Sequence, residues 1–136
     1  MAANTNPLFI LTPKIAWSGN ITAANTAKDG TGTTLLIATA GADGAFIQKV
    51  VAKPAGTNTT SVGRLFLNNG STPGTATNNM FFGEIDLPGT TISEVGSMAI
   101  VERALNLPLP AGYRIYVCIA TAVAAGWNFC AVGGDY

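Results

Sequence analysis

The chain contains no histidine, so the commonest general base and the commonest transition-metal ligand are both missing. Charge is scarce: seven basic and seven acidic side chains cancel, and 10% of residues are charged, against about 25% in an ordinary soluble domain. That leaves no basic footprint for a phosphate backbone and argues against a nucleic-acid partner. Long apolar runs are missing too. The run Leu8-Phe9-Ile10-Leu11 is strand-sized, far short of the roughly 18–20 residues of a membrane-spanning helix, so no membrane partner is expected. Residues 1–13 lack Lys and Arg and are interrupted by Pro7 and Pro13, unlike a secretory leader. The two cysteines, Cys118 and Cys130, cannot complete a tetrahedral zinc site without further ligands. No metal and no cofactor is expected.

What the chain does have is apolar and turn-forming residues: 48% hydrophobic side chains, 16 glycines and 7 prolines in 136 residues, with a mean hydropathy of +0.35. This length suits one domain, and the composition is too apolar for a disordered chain. Short apolar stretches at residues 15–21, 34–39, 45–53, 61–68, 80–87, 99–105, 113–121 and 127–132 read as eight strands. Between them lie turn signals such as Asn68-Asn69-Gly70 and Pro110-Ala111-Gly112, which supply the φ values a reversal needs. The only mildly helical stretch, residues 93–98, is weakened by Gly96 and belongs in a connection. The expected fold is all-β, an antiparallel β-sandwich of about eight strands over residues 15–136, preceded by an extended N-terminal arm at residues 1–14.

The last two strands invite a closer reading. If they form a hairpin, Ile119 pairs with Phe129 and Val117 with Ala131 on a core face, while Cys118 faces Cys130 beside Tyr116 and Val132 on an outer face that is also apolar. Two apolar faces require two covers, the second being a loop or a neighbouring subunit. The thiols are expected to be buried and free, as in a reducing compartment. The closing Gly133-Gly134-Asp135-Tyr136 reads as a flexible tail.

Candidate chemistry is thin. Glu84 and Asp86 share one strand face, the arrangement of an acid–base pair or a hard-cation site, but a solvated strand face explains them as well. Ser18, Ser61 and Ser71 have no base to activate them, and the Gly-rich turns lack the context of a phosphate loop. Trp17, Trp127, Tyr113, Tyr116 and Tyr136 offer either a sugar-stacking platform or core and interface anchors. A mass of 13.9 kDa implies about 6,700 Å² of folded surface, more than so few charges can cover, and uncharged apolar surface of that kind marks an assembling protein. The residues expected to carry contacts are Leu8, Phe9, Ile10, Leu11, Trp17, Tyr116 and Val132. No catalytic residue is expected.

The run Leu105-Asn106-Leu107-Pro108-Leu109-Pro110-Ala111-Gly112-Tyr113-Arg114-Ile115, then Ala122-Val123-Ala124-Ala125-Gly126-Trp127, and the closing Gly133-Gly134-Asp135-Tyr136 resemble small virion proteins of tailed bacteriophages and prophages. With Asn68-Asn69-Gly70-Ser71 and Phe82-Gly83-Glu84, the similarity spans residues 15–136. Within that group the chain is most similar to head decoration, or cement, proteins. The resemblance implies a jelly-roll-like sandwich, a homotrimer seated on the major capsid protein, and a place in the virion after assembly in the host cytoplasm. It transfers no catalytic or binding residue. A tail or head fibre module that recognises host carbohydrate is the alternative. The arm, extended by its prolines, is expected to add a strand to a neighbour or to lie in a groove on the shell.

Overall fold

The structure, a computed structural model, describes residues 9–17 and 19–136. Eight strands follow one another: β1 (Thr12–Trp17), β2 (Leu35–Thr39), β3 (Ala45–Pro54), β4 (Ser61–Asn68), β5 (Asn79–Leu87), β6 (Val101–Leu109), β7 (Arg114–Ile119) and β8 (Trp127–Asp135). A 3-10 turn at Ala76–Asn78 precedes β5. The strands form two four-stranded sheets, ordered β1-β8-β3-β6 and β2-β7-β4-β5, and every pairing between them is antiparallel. The chain is a β-sandwich. β1 pairs with β8, β2 with β7, β3 with β6 and β4 with β5. A long two-stranded ribbon rolled into two layers has this connectivity.

Alternation along each strand decides what lies between the layers. From the first sheet come Ile47, Val50, Ala52, Trp127, Phe129 and Ala131; from the second come Ile37, Leu65, Ile85, Leu87, Ile115, Val117 and Ile119. Gly63 of β4 explains how closely the layers approach, because a Cβ there would lie 3.2 Å from the Phe129 ring. The sandwich is fastened along both sides. Lys14 Nζ donates to Asp135 Oδ1 at 2.6 Å and to the Thr39 carbonyl at 2.7 Å, tying β1 and β8 to β2. On the other side Arg103 Nη1 of β6 donates to the Glu84 carbonyl of β5 at 2.8 Å.

Several sequence expectations are corrected here. β7 and β8 are not a hairpin, because they lie in different sheets. The residues of the proposed register do line the core, but from opposite sheets: Phe129 lies over Gly63, the ladder partner of Ile119. Cys118 is instead the partner of Arg64, and Cys130 that of Val51 and Trp17. The closing residues are not a tail. β8 runs on to Asp135, and Tyr136 N–H still donates to the Gly44 carbonyl at 3.2 Å. β1 begins at Thr12 and so takes in the last three residues assigned to the arm, while Ile21 makes only an isolated bridge to Trp127. Pro13 is tolerated because β1 is an edge strand, and Pro108 sits in β6 for the same reason. β6 accordingly spans Val101–Leu109 in place of residues 99–105.

Candidate interaction surface

The two outer faces of the sandwich differ in what covers them. On the second sheet, Phe66, Tyr116 and Cys118 form a small buried cluster outside the main core. The connection between β1 and β2, residues 19–34, crosses this face. Asn25 N–H donates to the Ile119 carbonyl at 2.8 Å, and the Asn25 carbonyl accepts from Arg64 Nη1 at 3.3 Å and from Cys118 Sγ at 3.8 Å. Further along, Asn79 Nδ2 donates to the Asp29 carbonyl at 3.2 Å. The Asn25 carboxamide holds the crossing segment in shape, its Nδ2 donating to the Thr31 and Thr33 carbonyls and its Oδ1 accepting from Ala27 N–H. The chain itself thus covers the middle of this apolar outer face, while Leu36 and Phe81, at the two ends of the Tyr116–Phe66 row, stay 43% and 37% exposed.

Among the described residues the first sheet has no such crossing segment. Its outward positions follow from the register. Trp17, Cys130, Val51 and Glu102 form one row, and Ile15, Val132, Lys49 and Ala104 the next. Trp17 is 73% exposed and Ile15 65%, while Cys130, Val132 and Val51 are half-buried beside them. At the upper end Ile10 folds over Gly134, where a Cβ would collide with it and would lie 2.5 Å from the Thr12 carbonyl. Phe9 and Leu11 are exposed as well, and Leu11 N–H extends the β1–β8 ladder by donating to the Asp135 carbonyl at 2.9 Å. The Lys49–Glu102 pair, at 3.0 Å, stands on the β3–β6 side.

Of the expected contact residues, the structure brings Ile10, Trp17 and Val132 onto this one face, and Phe9 and Leu11 are exposed in the segment that leads into β1. Tyr116 is elsewhere: at 9% exposure it lies under the 19–34 connection on the opposite face of the sandwich. Leu8 and Ser18 lie outside the described residues. Ile15 belongs to the face and was not singled out, although its alternation with Trp17 across Ala16 was visible in the sequence.

Several of the chemical candidates are buried or hydrogen-bonded within the fold. Glu84 and Asp86 do share the outer face of β5, but the Glu84 carboxylate accepts from Arg64 Nε at 3.2 Å. Ser61 is buried, its hydroxyl donating to the Thr121 carbonyl and accepting from Thr121 N–H. Trp127 is fully buried in the core. Both cysteines are free, and burial pushes each thiol above the ordinary range. A pocket of about 220 Å³ opens at the β4–β5 end, lined by Asn68, Asn69, Asn78, Asn79, Met80 and Tyr113 among others; none of its lining residues is a carboxylate, thiol or serine. Among the described residues no group of three or more Cys, Asp or Glu stands together to hold a metal ion, and no helix is long and apolar enough to cross a membrane.

Neither the known protein-family models nor the curated proteins include a match to this chain.

Proposed function

We propose that the chain is a structural subunit of a tailed-bacteriophage virion, a decoration or cement protein that stabilises the capsid by attaching to the major capsid protein as a symmetric oligomer, without a catalytic role. The observation that carries this reading is the unequal cover of the two sheets: the chain's own loop runs across one outer face, burying Phe66, Tyr116 and Cys118 and leaving Leu36 and Phe81 exposed at its margins, whereas the other face presents Ile15, Trp17 and Val132 to solvent. Contiguous exposed apolar surface of this kind belongs to contacts with other molecules. The low charge supports the same reading, and the pairing of β1 with β8, β2 with β7, β3 with β6 and β4 with β5 is compatible with the jelly-roll-like sandwich it expects. Symmetric clustering on a repeated lattice lets weak contacts add through effective concentration, and a flat apolar face suits the contacts that hold such a cluster together.

Particles purified from cells that express the whole virion are expected to contain this chain in a fixed ratio to the major capsid protein, on the outside of the shell in a low-resolution map. Absence from the particles, or a few copies confined to the tail, overturns the proposal. One observation favours a carbohydrate-recognising fibre module, namely the exposed indole of Trp17. Against it, Trp127 is in the core and Tyr116 is under a loop, so neither can join Trp17 in a stacking platform. Glycan binding abolished by Trp17→Ala would decide for that alternative.

A further inference from the structure

The uncovered face is not uniform across its width. Its apolar half lies along β1 and β8, where Ile15 and Trp17 project from an edge strand beside a flat floor of Cys130 and Val132 that continues to Val51. Its charged half lies along β3 and β6. There Lys49 is already paired with Glu102 at 3.0 Å, and Lys53 Nζ donates to the Met98 carbonyl at 2.7 Å. The face therefore offers no unpaired carboxylate and little free charge to a charged partner, while a surface of its own kind would meet no repulsion on it.

The chain's own N-terminal residues do not match it. Residues 1–8 read Met-Ala-Ala-Asn-Thr-Asn-Pro-Leu. Fully extended they reach at most about 28 Å, long enough to cross the sheet, but only Met1 and Leu8 carry large apolar side chains. Composition, not length, argues against them as the cover.

We propose that the outer face of the first sheet is a contact between two copies of this chain, with Trp17 of each copy laid on the Cys130–Val132–Val51 floor of the other and the Lys49–Glu102 pairs left at the rim. A self-complementary patch with an aromatic anchor at its centre and charge at its edge is the usual anatomy of such a contact. The assignment rests on reading the chain as an assembling subunit and deepens it by naming the face. It is tested on the purified chain alone, so it can fail while attachment to a shell stands, and the reverse.

The molecule carries its own reporters. Cys130 lies on the face and Cys118 is buried under the 19–34 connection; Trp17 is exposed and Trp127 is in the core. Sedimentation velocity over a wide dilution series is expected to show species heavier than one subunit at high concentration. Iodoacetamide labelling read by mass spectrometry should slow about tenfold at Cys130 as that species fills, with Cys118 slow throughout, and acrylamide should quench the tryptophan emission less. Trp17→Glu, which replaces an exposed side chain, should keep the wild-type melting midpoint of the dilute protein, sediment as a single subunit, and label at Cys130 at the dilute rate throughout. Met80→Glu, on β5 of the other sheet, should still associate. Single subunits at every concentration overturn the proposal, as do association that leaves Cys130 reactive, association that survives Trp17→Glu, and association lost in Met80→Glu.

Discussion

Asn58 is 5% exposed, and both ends of its carboxamide are used. Oδ1 accepts from Ala125 N–H at 2.8 Å and Gly126 N–H at 2.9 Å, and Nδ2 donates to the Gly126 carbonyl at 2.9 Å. The side chain thus pins the loop before β4 to the crossing between β7 and β8. Asn58→Leu leaves those backbone groups unpaired in a dry site, so a loss of about 3 kcal/mol is expected, read as a lower denaturant midpoint with an unchanged slope. Cys118 supplies a pH test. Burial raises its pKa above the ordinary 9.0, with the positive charge of Arg64 opposing. The folded state therefore holds the proton more tightly than the unfolded state. Its contribution to stability is complete below the unfolded value and is lost as pH rises through the folded one. Denaturant midpoints measured on either side of pH 9.0 should fall on the alkaline side, and Cys118→Ala should shrink that fall. Part of it remains, because burial also raises the pKa of Cys130.

At the scale of strands, the end of β8 shows what glycine does here. A Cβ on Gly133 would collide with the Phe46 carbonyl and lie 2.8 Å from Ile47 Cα, beside the irregularity where Gln48 is left out of the ladder from β3 to β8. Gly133→Ala must push the two strands apart, at a cost of about 3 kcal/mol, visible as a lower melting temperature. The amides of β8 should also exchange faster than those of β4. The eight strands were legible because apolar alternation and turn residues mark them, and for β4 the boundaries at Ser61 and Asn68 agree with the structure. Pairing was not legible. Period-two alternation tells which side a residue faces, not which strand lies beside it, so Ile119 and Phe129 were placed correctly in the core but on the wrong ladder. The closing glycines were misread because glycine marks a mobile end and a close backbone approach equally well. Asn25 and Asn58 gave no signal, since a buried asparagine is defined by partners far away in sequence. Of the candidate surface, Trp17 and Val132 were readable from alternation. Tyr116 was misplaced because nothing local says that residues 19–34 fold back over it.

For the whole molecule, the balance between apolar and charged contacts decides how association responds to salt. The proposed contact places Trp17, Ile15 and Val132 at its centre, and its nearest ion pair, Lys49–Glu102, lies within one subunit and stays at the rim. Charge pairs across such a contact are few, and exposed pairs are worth about 1 kcal/mol at most. Sodium chloride screens exposed charges over a length of about 10 Å at 0.1 M, but it has little to act on here. The association constant from sedimentation equilibrium should therefore stay nearly constant from low to high chloride, and it should rise in sulfate, which strengthens apolar burial. A tenfold weakening in chloride, about 1.4 kcal/mol, would place charged groups across the contact and move it off the β1–β8 half of the sheet. Trp17→Phe separates the two cases further: it keeps an apolar anchor of smaller area, so it should weaken association by a similar factor at every salt concentration, whereas a charge-driven contact would be weakened by salt and left unchanged by this substitution.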